Sequence, residues 1–98
     1  MTLSVKMKRE VCVMLGKYRT VEELVPDGDM HVVFANTNFG IPSRDILRFG
    51  ALKCNVGLYQ GHTSRQVCTE LGLIDANYQI TAKGLAYIWL TFGRKNPV

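Results

Sequence analysis

The stretch from Ser64 to Ile88, SRQVCTELGLIDANYQITAKGLAYI, is the most informative part of the sequence, because it joins the end of one predicted helix to the start of another through a short turn. Gly72 is predicted to end a helix, since glycine readily adopts the left-handed conformation found at helix C-termini. The apolar segments 73–74 and 78–80 flank a turn at 75–77 and predict a short two-stranded element. Helix, turn, strands and helix therefore follow one another within this stretch.

Two threonines mark the predicted beginnings of the helices on either side of this turn. Thr63 and Gln66 have the T-x-x-Q spacing of a capping box, in which each side chain satisfies a backbone N–H of the other residue. Thr81 is predicted to cap the last helix. The inward face of that helix is predicted to carry four large apolar residues, namely Leu85, Ile88, Trp89 and Phe92.

Seven residues around the turn carry a likeness to a known family: Leu71, Gly72, Leu73, Ile74, Ile80, Thr81 and Gly84. This pattern, LGLI followed by I-T-x-x-G, resembles the end of the recognition helix, the wing and the closing helix of winged helix-turn-helix DNA-binding domains. The resemblance extends over residues 64–88. It implies a mainly α fold with short β strands, an α+β winged-helix-like single domain.

The resemblance also implies that the helix from Thr63 enters the major groove of double-stranded DNA. Arg65 would donate two hydrogen bonds to guanine, and Gln66, which the capping box also claims, would pair with adenine. Further contacts to phosphates or bases would come from Thr63, Ser64, Thr69, Lys83, Arg94 and Lys95. We therefore expect a transcriptional or accessory regulator, dimeric if binding is sequence-specific. The alternative is that these residues form the solvated faces of ordinary amphipathic helices.

A second pair of segments also resembles a helix-turn-helix. Residues 20–24 and 41–47 would form this pair, separated by an insertion. Its recognition helix would present Ser43, Arg44 and Arg48 to the partner. The sequence leaves open which of the two candidate helices is presented.

The first quarter of the chain has the features of two helices. An apolar stripe predicts the first helix over roughly residues 4–17. Thr20 and Glu23 have the spacing of a capping box, and Pro26 ends the short helix that they begin.

The segment 26–42 is predicted to be an insertion in a single domain of residues 1–98. Its β-prone part, residues 30–35, predicts a strand, and residues 36–42 predict a loop. In the alternative interpretation, residues 22–25 and 30–35 form a hairpin. A helix capped by Ser43 follows and ends near residues 53–57, and the chain closes with a basic tail at 94–98.

Charge is distributed unevenly along the chain, whose formal net charge is +4. Four of the eight acidic residues lie within residues 22–29, so the remainder is strongly basic and favours nucleic acid as a partner. The acidic segment suggests an alternative function, a protein-interaction module that docks on a larger host enzyme or polymerase. Its candidate partner-binding residues are Glu22, Glu23, Asp27, Asp29 and Phe39.

Several function classes find no support in the sequence. The chain has no nucleophile elbow, P-loop or dinucleotide-binding glycine motif, so neither an enzyme nor a cofactor is predicted. His31, placed in the predicted strand, and His62 are too far apart in sequence to predict a metal site. Apolar runs are too short for a membrane helix, and no secretory signal is recognisable, so we expect a cytoplasmic protein without membrane contact.

The cysteines and aromatic residues are interpreted mainly as core residues. Three cysteines, an odd number, predict reduced and partly buried thiols: Cys12, Cys54 and Cys68. Most aromatic residues fall on inferred core faces, so no base-stacking surface is predicted. Phe39 and Tyr59, in predicted loops, are the exceptions.

Overall fold

The computed structural model describes residues 4–37, 39, 41–58 and 60–92, and this part of the chain is mainly helical. It contains six helices: α1 (Val5–Lys17), α2 (Val21–Leu24), α3 (Asp27–Phe34), α4 (Arg44–Asn55), α5 (His62–Glu70) and α6 (Ala82–Phe92). The mainly helical class is therefore confirmed. Within these ranges every helix is too short or too polar to cross the hydrocarbon core of a bilayer. Tyr59 and the tail 94–98 lie outside the described residues.

The first two helices begin with hydrogen-bonded caps. The side-chain oxygen of Ser4 accepts a hydrogen bond from the N–H of Met7 at 3.0 Å, which supports the predicted first helix. At α2 the predicted capping box is confirmed. Thr20 Oγ1 accepts from the N–H of Glu23 at 3.1 Å, and Glu23 Oε1 accepts from the N–H of Thr20 at 3.1 Å.

The strand predicted over residues 30–35 is wrong, because this run belongs to α3. Asp27 and Asp29 lie in the first turn of α3, where negative charge interacts favourably with the helix dipole. Met30 and Phe34, one helical turn apart, are both buried in the core. This spacing of buried side chains matches a helix, and their packing outweighs the β propensity of the intervening valines. The hairpin alternative is wrong for the same reason.

α4 begins after Ser43, as predicted, and crosses α5 at Gly50. A Cβ atom on Gly50 would lie 2.6 Å from Sγ of Cys68 and 2.7 Å from Oε1 of Gln60. Gln60 is buried, and its Nε2 donates a hydrogen bond to the carbonyl of Gly50 at 2.9 Å. Glycine at position 50 therefore leaves room for Cys68 of α5 and for the side chain of Gln60.

A tight turn separates α5 from α6. Gly72 has a φ of +80°, as expected for the residue after a helix end. The predicted two-stranded element is reduced to one antiparallel bridge between Ile74 and Ile80, and the described residues contain no longer strand. Asp75 Oδ1 accepts hydrogen bonds from the N–H groups two and four residues later, each at 2.9 Å. Because this turn occupies most of the segment, a longer ladder has no room to form.

α6 begins after Thr81, whose Oγ1 accepts a hydrogen bond from the N–H of Gly84 at 3.0 Å, so the predicted cap is present. The predicted inward face is wrong in its C-terminal half, since Trp89 is 52% exposed and Phe92 is 38% exposed. The buried residues of α6 are Ala82, Gly84, Ala86 and Tyr87. The small residues let α6 approach the neighbouring backbone closely, and Tyr87 is the ring that enters the core, while the rings of Trp89 and Phe92 are left outside.

One apolar core joins the elements. Its buried members come from every helix except α1 and from the segments that follow α2 and α5: Leu24, Val25, Met30, Phe34, Leu47, Ala51, Val67, Cys68, Leu71, Leu73, Ile74, Ile80, Ala86 and Tyr87. α1 packs on α6 and contributes half-buried side chains to the edge of this core.

Candidate nucleic-acid interface

α5, the helix favoured by the family resemblance, lies at the surface with its inner side against α4 and α3. Val67 and Cys68 are buried in the core. Arg65 and Gln66 are exposed, as is His62 at the beginning of the helix. Every exposed residue of α5 is polar, as expected for a helix face that meets either solvent or nucleic acid.

The beginning of α5 differs from the prediction, and the capping box at Thr63 is wrong. Gly61 is the N-cap residue, α5 begins at His62, and no side chain makes a capping hydrogen bond. Gln60 is anchored in the core by its side chain, so the chain turns into the helix directly after it. The side chain of Gln66 is therefore not used in a capping box, which removes the competition between its two predicted roles.

Two hydroxyl groups that were predicted to contact DNA make hydrogen bonds within the chain. Ser64 Oγ donates to Oε1 of the buried Gln60 at 2.7 Å. Thr69 Oγ1 donates to the carbonyl of Arg65 at 2.8 Å. Arg65 and Gln66 are consequently the exposed side chains of α5 that combine planar geometry with several hydrogen-bond donors.

Arg65 is held in place by the turn that follows α5. Its guanidinium carbon lies 4.9 Å from the centre of the Tyr78 ring, within the range of a cation–π contact. The ring of Tyr78 is itself restrained, because its hydroxyl donates a hydrogen bond to the carbonyl of Leu58 at 3.1 Å; the backbone of Tyr78 has a φ of +60°. A cation–π contact is an electrostatic attraction to the ring face, so it restricts Arg65 and leaves its N–H groups able to donate hydrogen bonds.

The outer side of α5 forms one wall of an open groove of about 260 Å³. The residues that line the groove are His62, Arg65, Gln66, Thr69, Glu70, Asp75 and Ala76. Glu70 and Asp75 place two negative charges around the positive charge of Arg65. The groove therefore has a mixed charge, in contrast to the uniformly basic surface that binds phosphate groups alone.

Lys83, a predicted phosphate contact, lies beyond the C-terminal end of α5. It is half-buried and lines a separate depression together with Asp29 and Glu70. Because Glu70 lines both depressions, an acidic side chain lies between Lys83 and Arg65. The two cations thus do not form one continuous positive surface. Two other predicted phosphate contacts, Arg94 and Lys95, lie outside the described residues.

The alternative recognition helix, α4, has its first arginine tied to the rest of the protein. Arg44 Nη2 donates to Asp27 Oδ1 at 2.7 Å and to the carbonyl of Val25 at 2.9 Å, and its Nε lies 3.7 Å from a carboxylate oxygen of Glu22. Burial alone would lower the pKa of Arg44, but the hydrogen bond with Asp27 and further favourable contacts raise it overall. Arg44 therefore links α4 to α2 and α3.

The other two residues of that alternative site differ, because the side chain of Ser43 makes no capping hydrogen bond whereas Arg48 has an ion-pair partner. Ser43 occupies the N-cap position of α4. Arg48 Nη2 lies 2.8 Å from Oδ1 of Asp45, one turn earlier on the same helix. The arginine of α5, Arg65, is exposed, and no acidic residue of the described chain lies within ion-pair distance of it. Both arginines of α4 are half-buried and have acidic partners.

The acidic segment, predicted as a partner-binding surface, is largely occupied by contacts within the chain. Two of its four acids pair with Arg44, and Glu23 completes the cap of α2. Asp29 is exposed in the first turn of α3. The ring of Phe39 packs against that of Phe34, with 5.9 Å between the ring centres.

The histidines and cysteines do not assemble into a reactive centre. His31 is exposed on α3 rather than in a strand, and the described residues contain no group of three or more side chains suited to hold a metal ion. Burial raises the pKa of Cys68 to about 12 and also raises that of Cys54, so both thiols stay protonated at neutral pH. Cys12 is exposed, contrary to the prediction of partial burial.

No family model, curated protein or solved structure matches this chain. The candidate interface is therefore defined by the geometry of α5 and its surroundings. The partial resemblance over residues 64–88 supplies the only family-level expectation for it.

Tyr78 is the important site residue that sequence reasoning did not single out for this role. Its only sequence signal is its place at the end of the Asp75-Ala76-Asn77 turn. The contact with Arg65 depends on the positive φ of Tyr78 and on the anchor at Leu58, twenty residues earlier. Neither can be recognised from local sequence patterns.

Proposed function

We propose that the protein is a small winged-helix-like DNA-binding protein, a transcriptional or accessory regulator, that places α5 in the major groove of double-stranded DNA. The observation that carries the proposal is the exposed Arg65 in cation–π contact with Tyr78. Bidentate donation to O6 and N7 of guanine requires a planar guanidinium in a defined orientation. Restricting this side chain before binding lowers the conformational entropy that binding would cost.

The order of the elements supports this proposal. α4 and α5 are consecutive helices that pack together, and α5 is followed by the bridged turn and then by α6. In the family that the sequence resembles, the recognition helix is likewise followed by a hairpin and a closing helix. The single Ile74–Ile80 bridge would correspond to a reduced wing, whose role is to support Arg65 through Tyr78.

The mixed charge of the groove favours base edges over phosphates as the contacts of α5. Gln66 has the amide geometry that pairs with N6 and N7 of adenine. Glu70 and Asp75 repel phosphates but can accept a hydrogen bond from the amino group of cytosine. Lys83 and the tail residues Arg94 and Lys95 remain the proposed phosphate contacts. These assignments predict sequence-specific binding with a moderate dependence on salt.

Fluorescence anisotropy with duplex DNA tests the function. The protein first selects a duplex from a random pool, and its affinity for that duplex and for an unselected duplex is measured at two salt concentrations. We expect affinity for both duplexes to fall as salt rises, because bound counterions are released on binding. Replacing Arg65 by Ala is expected to weaken binding to the selected duplex by about 1–3 kcal/mol.

The matched control is Lys6→Ala, which removes the same charge from exposed α1, a helix that packs on α6. This control is expected to leave affinity for the selected duplex nearly unchanged. The proposal is wrong if the unmodified protein at micromolar concentration fails to bind duplex DNA at low salt. Equal losses in the Arg65 and Lys6 variants would also contradict it, because they would indicate attraction by net charge alone.

Docking on a larger protein through the acidic segment has weaker support. Glu22 and Asp27 are paired with Arg44, and Glu23 accepts hydrogen bonds from backbone N–H groups at the cap of α2. Asp29 and Phe39 are the remaining candidates. A defined protein partner retained after nuclease treatment and lost in both Asp29→Lys and Phe39→Ala would favour this alternative over DNA binding.

A further inference from the structure

Three aromatic side chains on α4 and α6 form an exposed surface, which we call the aromatic patch: Phe49, Trp89 and Phe92. Phe49 is 48% exposed, and the two residues of α6 are exposed to a similar degree. Trp89 and Phe92 are three residues apart and hence neighbours on one side of α6. Apolar rings grouped in this way on a small protein indicate an interaction surface.

Arg48 joins the α4 and α6 parts of the aromatic patch. Its guanidinium carbon lies 4.7 Å from the ring centre of Phe49 and 5.9 Å from that of Phe92. The same guanidinium makes the 2.8 Å ion pair with Asp45. The patch is therefore a preformed surface, with its two helices connected through one side chain.

The composition of α6 explains why this surface is expected to bind a partner. Its buried side carries Ala82, Gly84, Ala86 and Tyr87, and its outer side carries Trp89 and Phe92. A helix that is apolar all round is normally covered on more than one side. Within the described chain, α1, α2 and α4 pack on α6 but leave the C-terminal rings exposed.

The outward stripe of α4 identifies the partner by its charge pattern. Asp45, Phe49 and Lys53 are spaced four residues apart, so they form one line on the helix with about 6 Å between successive positions. All three are exposed. Along α4 an acidic, an aromatic and a basic side chain therefore follow one another, with the aromatic ring in the middle.

This row of side chains is complementary to the same row on a second protomer when the two α4 helices are antiparallel. A two-fold axis through Phe49 would bring Asp45 of one protomer opposite Lys53 of the other, and the reverse, while the two Phe49 rings meet at the axis. Opposite charges then face each other at both ends of the contact. A partner with a single sign of charge, such as a nucleic acid, would meet one matching and one opposing end.

From this arrangement we propose that the aromatic patch binds a second copy of the chain, in an isologous dimer with antiparallel α4 helices. Phe49, Trp89 and Phe92 form its apolar centre, and Asp45 and Lys53 form its reciprocal ion pairs. This contact uses different residues from the groove of α5. It is independent of DNA binding, and either proposal can fail while the other holds.

Self-association of the purified 98-residue chain tests the proposal directly, by sedimentation and by the emission of Trp89 over a wide range of protein concentration. Trp89 is the single tryptophan, so its fluorescence reports on the patch alone. We expect the mass to change from monomer to dimer with increasing concentration, and the emission to shift to the blue over the same range as the indole leaves water. Phe49→Ser should raise the dimer dissociation constant at least about tenfold.

Val32→Ser is the matched control, because Val32 is an exposed valine on α3, a helix that packs on α5. Its dimer dissociation constant should equal that of the unmodified chain. Circular dichroism confirms that each variant retains its helices, which is expected because the substituted side chains are largely exposed.

Charge reversal tests the antiparallel geometry separately from the apolar contact. Asp45→Lys and Lys53→Glu should each weaken the dimer, and the chain that carries both substitutions should recover most of the affinity. The double variant cannot restore the pair between Asp45 and Arg48 within one chain, so recovery reports on contacts between copies. A chain that stays monomeric throughout, a Phe49→Ser dimer of unchanged affinity, or a double variant weaker than both single variants would each overturn the proposal.

Discussion

At the scale of single residues, Gly84 and Gly16 illustrate how the surroundings of a helical glycine determine its role. A Cβ atom on Gly84 would overlap the carbonyl oxygen of Leu73 and lie 2.7 Å from Cδ1 of Ile80. The overlap with a backbone atom cannot be relieved by a rotamer change. Gly16 in α1 has no such neighbours within 4 Å. The first glycine is required by packing, and the second only lowers the stability of its helix.

We therefore predict opposite effects of the same substitution at these two positions. Gly84→Ala should lower the free energy of unfolding by about 1–3 kcal/mol, because α6 must move away from the turn. Gly16→Ala should raise it by roughly 0.5–1 kcal/mol, because alanine has the higher helix propensity. Urea denaturation followed by circular dichroism measures both values. Equal changes in the two variants would contradict this packing argument.

At the scale of elements, two threonines with similar sequence signals have different roles. Thr20 and Glu23 form a complete capping box at α2, a helix of four residues that has few hydrogen bonds of its own. Thr63 has the same type of signal but lies inside α5, which begins after Gly61. The capping motif identifies a helix start only where the preceding chain is free to adopt it.

Comparing Thr20→Ala with Thr63→Ala separates the two roles. Thr20→Ala should lower the free energy of unfolding by about 1 kcal/mol, because the N–H of Glu23 loses its acceptor. Thr63→Ala should change it by less than about 0.5 kcal/mol, since no capping bond is removed. Thermal and urea unfolding of both variants provide the measurement. A larger loss at Thr63 would mean that α5 depends on an interaction other than its backbone cap.

At the scale of the whole molecule, burial divides the three thiols into distinct classes. Cys12 is exposed on α1, Cys54 is half-buried on α4, and Cys68 of α5 is buried in the core. Burial raises the pKa of Cys68 from an ordinary value of 9.0 to about 12. The folded chain therefore holds this proton more tightly than the unfolded chain does.

Two consequences of this difference can be measured on the unmodified protein. Disulfide reagents at neutral pH should modify Cys12 first, Cys54 more slowly and Cys68 only when the chain unfolds, since the exposed thiolate is the reactive form. The contribution of Cys68 to the free energy of unfolding should be constant below pH 9. It should fall between pH 9 and 12, because in that range the unfolded chain releases the thiol proton and the folded chain retains it. In Cys68→Ala this part of the pH dependence should disappear. Rapid modification of Cys68 in the native protein would refute the assignment.

Features that depend on contacts within a few residues could be predicted from the amino-acid sequence. The caps of α2 and α6 lie where Thr20 and Thr81 predict them, and Gly72 follows the end of α5 as predicted. Each of these signals is a hydrogen bond or a backbone preference that acts locally, so it is present in the sequence itself. The mainly helical class follows from the same signals.

Features that depend on residues distant in sequence could not be predicted and are seen in the folded chain. Residues 30–35 form a helix because Met30 and Phe34 are buried together, and Trp89 faces outward because smaller residues of α6 fill the interface. Arg65 becomes a defined candidate for base recognition through Tyr78, whose anchor at Leu58 belongs to another loop. Burial depends on which surfaces meet when the chain closes on itself, and this is the information that short-range patterns lack.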